Sequence, residues 1–99
     1  MRILSKPKLR TFWEIHPAAR VPLSVWWKLT TGAAWKSITD VRKTFPHADA
    51  VKVAGDVLTV FNVGGGKFRL IVRIKYPIGR VYVVAVLTHA DYDRDKWKE

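Results

Sequence analysis

The chain has 99 residues, with 18 Lys and Arg against 8 Asp and Glu, and a formal charge of +10. Its length suits one small domain spanning residues 1–99, and 48% hydrophobic content belongs to a folding chain rather than a disordered one. The lack of cysteine excludes a disulfide framework, a thiolate nucleophile and any Cys-ligated zinc or iron–sulfur centre.

Arg2-Ile3-Leu4 can pair as an edge strand, and Ser5 stands as an N-cap before Pro7 in a first helical turn. In the helix that follows, Leu9, Phe12 and Trp13 fall at i, i+3 and i+4 on one face. His16-Pro17 ends it, because the residue before a proline is disfavoured in the α region. A second helix is expected from about Ala18 to about Thr31, with Val21, Val25 and Leu29 spaced by four and Gly32 as its stop. Pro22 either sits in the first turn of that helix or deprives it of a hydrogen bond. Trp26 and Trp27 are neighbours on the helix, so one belongs in the core and the other is partly exposed. Ser37 or Thr39 can cap a short third helix through Val41, Arg42 and Phe45, closed by Pro46.

Beyond that point the apolar period changes from 3.6 to 2. Val57 to Asn62 is a β-branched and aromatic run, Gly64-Gly65-Gly66 must turn, and Phe68, Leu70, Val72, Ile74 and Tyr76 alternate strictly with Lys67, Arg69, Ile71, Arg73 and Lys75. Pro77-Ile78-Gly79 turns the chain again before an apolar strand from Arg80 to Leu87. The polar segment from Thr88 onward has Trp97 as its one large anchor. Helices followed by a meander of strands predict an α+β fold, with N-terminal helices packed on one face of an antiparallel sheet and the other face left polar.

The longest apolar run, Val81 to Leu87, falls far short of the ~20 residues of a membrane span, and the N-terminus lacks an apolar signal core. A cytoplasmic protein with no membrane association is expected. Side chains two residues apart along a strand share a face, so Lys67, Arg69, Arg73 and Lys75 form a cationic row suited to a phosphodiester backbone. A solvated strand face is the competing reading, favoured by the interruption at Ile71. Within Thr88-His89-Ala90-Asp91-Tyr92-Asp93, an imidazole and a phenol can move protons or position a phosphate; a turn hydrogen bond and packing would also account for them. No metal-ligand spacing is present, so neither metal nor other cofactor is expected.

Three stretches carry a wider likeness: Phe12-Trp13-Glu14-Ile15-His16-Pro17, Val60-Phe61-Asn62-Val63-Gly64-Gly65-Gly66-Lys67-Phe68-Arg69-Leu70-Ile71-Val72, and Thr88-His89-Ala90-Asp91-Tyr92-Asp93. In these and in their order the chain resembles the HigB-type toxins of bacterial type II toxin–antitoxin systems, members of the RelE-like messenger-RNA interferases. Gly66 departs from the family turn, which often reads Gly-Gly-Asn before the lysine. The resemblance implies a RelE-like α+β fold, a metal-independent endoribonuclease acting on messenger RNA on the ribosome, and a HigA-type helix-turn-helix antitoxin as partner. With this chemistry in view, the residues themselves make Arg69, Arg73, His89 and Tyr92 the expected catalytic group, with the direction of proton transfer unassigned, and Lys67, Lys75, Arg42 and Lys43 the expected RNA-binding cations. A non-catalytic RNA-binding module and an inactive antitoxin-binding relative are the rival expectations.

Overall fold

The computed structural model describes residues 1–95 and Trp97. The chain opens with β1 (Arg2–Leu4) and reverses at Ser5, held at φ 69, into α1 (Lys6–Ile15) with Pro7 in the first turn. Leu9 is the buried residue of α1, with Phe12 and Trp13 packed at the margin of the core. A 3-10 turn from Pro17 to Ala19 leads into α2 (Arg20–Thr31), so Pro22 falls in the first turn, where no intrahelical N–H is lost. α2 buries Leu23, Trp26 and Thr30. The four-residue spacing of Val21, Val25 and Leu29 therefore marks the solvent side of α2, where all three are exposed. Trp26 is the buried member of the tryptophan pair and Trp27 the partly exposed one. α3 (Ile38–Thr44) follows Ser37 and is anchored by Val41.

Four longer strands follow: β2 (Asp49–Val53), β3 (Asp56–Val63), β4 (Phe68–Lys75) and β5 (Arg80–Thr88), and then α4 (His89–Asp93). The sheet runs β1-β5-β4-β3-β2; its pairs are antiparallel except β1 with β5, which is parallel. The expected α+β architecture is thus observed, with two additions. β2, too polar to stand out in the sequence, forms the far edge, and α4 forms behind the Thr88 cap, whose Oγ1 accepts from the Asp91 N–H at 3.1 Å.

Alternation along β4 sorts residues to two faces. Phe68, Leu70 and Val72 join Phe61, Val63, Val81 and Val83 against Leu9, Leu23 and Trp26 on the helix side. The opposite face is not simply polar. Leu58, Val60 and Ile71 are buried there, under partly buried Leu87, Tyr92 and Trp97. Ile71 is 0% exposed, so the expected row of cations is broken by an apolar patch that the C-terminal segment roofs. A register skip helps build that patch: Ile71 pairs with Ala85 but Val72 with Val83, leaving Val84 as an extra residue in β5. Val84 and Ala85 both join the second cluster as a result.

Candidate functional site

The turn between β3 and β4 is made possible by Gly64, Gly65 and Gly66, at φ 66, 66 and 91, a left-handed region that glycine enters without a Cβ penalty. Gly66 ends the turn with its carbonyl aimed back at β4. The Arg69 Nη1 donates to that carbonyl at 2.7 Å and to the Phe68 carbonyl at 3.2 Å, which fixes the guanidinium beside the turn. Its Cζ lies 5.6 Å from the centroid of the Tyr92 ring, a cation–π distance. Lys67, exposed in the turn itself, accepts through its backbone carbonyl from the His89 N–H at 3.0 Å. Backbone bonding thus ties the start of α4 to the glycine turn and brings Lys67, Arg69, His89 and Tyr92 into one neighbourhood.

α4 carries His89 and Tyr92 three residues apart, a helical spacing that places side chains on neighbouring positions. His89 Nδ1 lies 2.9 Å from Asp93 Oδ2, four residues on. That contact fixes the ring by one nitrogen and leaves Nε2 as the other proton-handling atom. Tyr92 stacks on Trp97 with ring centroids 5.1 Å apart and planes 16° apart, and the Trp97 Nε1 donates to the Tyr92 carbonyl at 3.1 Å. Phenol, imidazole and guanidinium are therefore each oriented by a second group. The assembly can hold a phosphate and exchange protons with it.

Arg73 and Lys75 stand elsewhere. Arg73 stands four positions along the strand from Arg69, roughly 13 Å at 3.3 Å per residue, with buried Ile71 between them. Arg73 Nε is 2.6 Å from Asp56 Oδ2, so its charge is matched by a carboxylate rather than left open. Arg42 and Lys43 lie on α3, on the way to the β2 edge. The Arg42 Nε donates to the Ala48 carbonyl at 3.0 Å with Asp49 3.8 Å from Nη2, and Lys43 pairs with Asp40 at 3.6 Å. No contact joins these two to the His89 and Tyr92 neighbourhood among the described residues.

The sequence does not mark Lys36, Asp56 or Tyr76 as site residues, yet they meet Arg73 and Lys75 around a cavity of about 520 Å³. They come from different parts of the chain, and no local spacing links them. Burial pushes the Tyr76 phenol above its ordinary pKa, the Asp40 charge adds to the rise, and a hydrogen bond with Thr59 opposes it. Among the described residues no group of three or more His, Asp or Glu is gathered to hold a metal ion, and no helix is long and apolar enough to cross a membrane.

Residues 19–95 match a family model described as HigB_toxin, the RelE-like toxic component of a toxin–antitoxin system. The mRNA interferase toxin HigB of Escherichia coli (strain K12) is 26% identical over 93 residues, which cover 94% of this chain and 88% of that protein. The proteins named mRNA interferase HigB from Escherichia coli O157:H7 and Shigella flexneri match with the same 26% identity and the same coverage.

Proposed function

The chain belongs to the HigB family of RelE-like toxins, and from that premise we propose that it is a cytoplasmic messenger-RNA interferase, one domain over residues 1–99, which cuts transcripts on the translating ribosome without a metal. The observation that supports this most is the gathering of Arg69, His89 and Tyr92 beside the glycine turn, each held by a named neighbour. The reaction needs no water in its first step. A ribose 2′-hydroxyl attacks the adjacent phosphorus, the bond from phosphorus to the 5′ oxygen breaks, and the products are a 2′,3′-cyclic phosphate and a 5′-hydroxyl.

Two protons move in that step. With Nδ1 directed to Asp93, the His89 Nε2 takes the proton of the 2′-hydroxyl, and the Tyr92 phenol gives one to the departing 5′ oxygen. Arg69, with Lys67 beside it, offsets the negative charge that builds on the phosphate oxygens. Arg73, paired with Asp56, and Lys75 beyond it on β4 stand apart from this group and take no part in the proton transfers. Arg42 and Lys43 extend the cationic surface at the α3 side.

As the toxic component of a toxin–antitoxin system the chain has an antitoxin partner, and a HigA-type helix-turn-helix protein is the proposed one.

The test is cleavage of a defined transcript on programmed ribosomes by toxin first stripped of metal with a chelator and dialysed, against untreated toxin, followed by mapping of the new ends. Cyclic phosphate ends that form equally well with both preparations are expected. Arg69→Ala and Tyr92→Phe should each slow cutting by about 10²-fold or more while both proteins remain folded. Full cutting by both variants would move the chemistry away from this cluster, and loss of cutting by the stripped toxin, restored by reloading it with a transition metal, would end the metal-free scheme.

A further inference from the structure

The ladder between β3 and β4 ends at Thr59 opposite Val72, although both strands continue, β3 back to Asp56 and β4 on to Lys75. The cavity of about 520 Å³ lies where that pairing stops, within the roughly 300–1,000 Å³ range of small-ligand sites. Its charged lining consists of Lys36, Arg73 and Lys75 against Asp56, an excess of cations over carboxylates. Asp56 engages Arg73 through Nε at 2.6 Å, which orients the guanidinium and leaves its two amino groups as the remaining donors. The rest of the lining mixes the hydroxyls of Ser37 and Thr59 with apolar side chains. Val57, Ile74 and the ring of Tyr76 supply apolar walls, with Val57 55% exposed at the rim.

Cations on one side and an aromatic with aliphatic walls on the other match the two halves of a nucleotide, a phosphate and a flat base. An acidic peptide would use the cations but not the walls. Arg73 lies on the same face of β4 as Arg69, roughly 13 Å along the strand, whereas Ile74 and Tyr76 pack with the helix-side cluster, so the cavity reaches across the end of the β3–β4 ladder and its cationic side faces the way Arg69 does. We infer that this cavity binds one nucleotide of the RNA strand at a distance from the cut bond, with its phosphate on Lys36, Arg73 and Lys75 and its base against Tyr76 and Val57, and that it gives cleavage its sequence context. The inference rests on the ribonuclease reading for its role in cleavage, whereas binding can be measured without any cleavage.

The experiment titrates 5′-AMP, 5′-GMP, 5′-CMP, 5′-UMP and inorganic phosphate separately into the full chain and follows backbone amide resonances by NMR. At least one nucleotide should shift Gly55, Val57 and Tyr76 at concentrations where phosphate does not, and Val57→Trp and Lys36→Glu should each weaken it about tenfold. In ribosome cleavage maps, the same two variants should redistribute the cut positions. If the wild-type chain cuts RNA while no nucleotide shifts these amides and both variants keep the wild-type cut pattern, the inference fails and the ribonuclease reading stands. If a nucleotide binds there and no RNA is cut, the site is upheld and the ribonuclease reading fails. Displacement at these amides by an oligo-glutamate peptide, with no nucleotide able to bind, would overturn the inference in favour of an acidic protein partner.

Discussion

Tyr76 and Thr59 both line the cavity, and three influences act on the Tyr76 phenol. Burial and the Asp40 charge disfavour the phenolate, while the hydrogen bond with Thr59 favours it, and the first pair prevails. The folded state therefore holds the phenolic proton more tightly than the unfolded chain does. Below pH ~10 the phenol is neutral in both states and its contribution to stability is fully present; above it the unfolded chain ionises first, and stability falls through the raised folded pKa. Tyr76→Phe removes this loss. Urea midpoints of wild type and variant should run parallel up to about pH 9 and separate above pH ~10, with the wild type falling faster. Parallel curves throughout would show that the phenol ionises equally easily in both states.

At the level of elements, the glycine turn that supports Arg69 has unequal members. A Cβ added at Gly64 would lie 3.1 Å from Phe68 Cδ2, whereas one at Gly65 would meet nothing within 4 Å, and both residues have φ 66. Gly65→Ala should therefore cost about 1–2 kcal/mol from left-handed backbone strain alone, and Gly64→Ala more, because Phe68 is itself buried between Phe12 and the core. Urea denaturation of the two variants measures the difference; equal losses would mean that the Phe68 ring moves aside freely. This turn was legible because three adjacent glycines admit few alternatives, and β4 was legible because its alternation is strict. α2 was legible as a helix but not in its orientation. Its buried side rests on Leu23, Trp26 and Thr30, and a threonine in that set masks the face, while Val21, Val25 and Leu29 form a cleaner apolar stripe on the solvent side. β2 escaped notice because an edge strand with Asp49 and Lys52 need not alternate, and α4 because five residues hold too little period to read.

Across the whole molecule, the +10 charge does not lie on one continuous strip, because burial on both faces of the sheet divides it. Ile71, roofed by Tyr92 and Trp97, separates the Lys67 and Arg69 end of β4 from the Arg73 and Lys75 end. The parity of the strand made these four cations readable as a set. That a second apolar cluster lay among them was not readable, since Ile71 alone does not reveal the tail that covers it. An RNA strand touching both ends would release counterions at about three sites, Lys67, Arg69 and Lys75, since Asp56 already matches Arg73, so the logarithm of its affinity should fall against the logarithm of salt concentration with a slope of about −2, near 0.7 per contact for a single strand. Lys67→Ala should make that slope shallower by about 0.7, because Lys67 is exposed and no ion pair is found for it among the described residues. Arg42→Ala should change it less, since the Ala48 carbonyl and Asp49 already occupy that guanidinium. Fluorescence anisotropy with a short single-stranded RNA over a salt series reads all three slopes. Equal slopes for Lys67→Ala and wild type would exclude the glycine-turn end from the RNA contact, and a larger change for Arg42→Ala than for Lys67→Ala would shift the binding surface from β4 to α3.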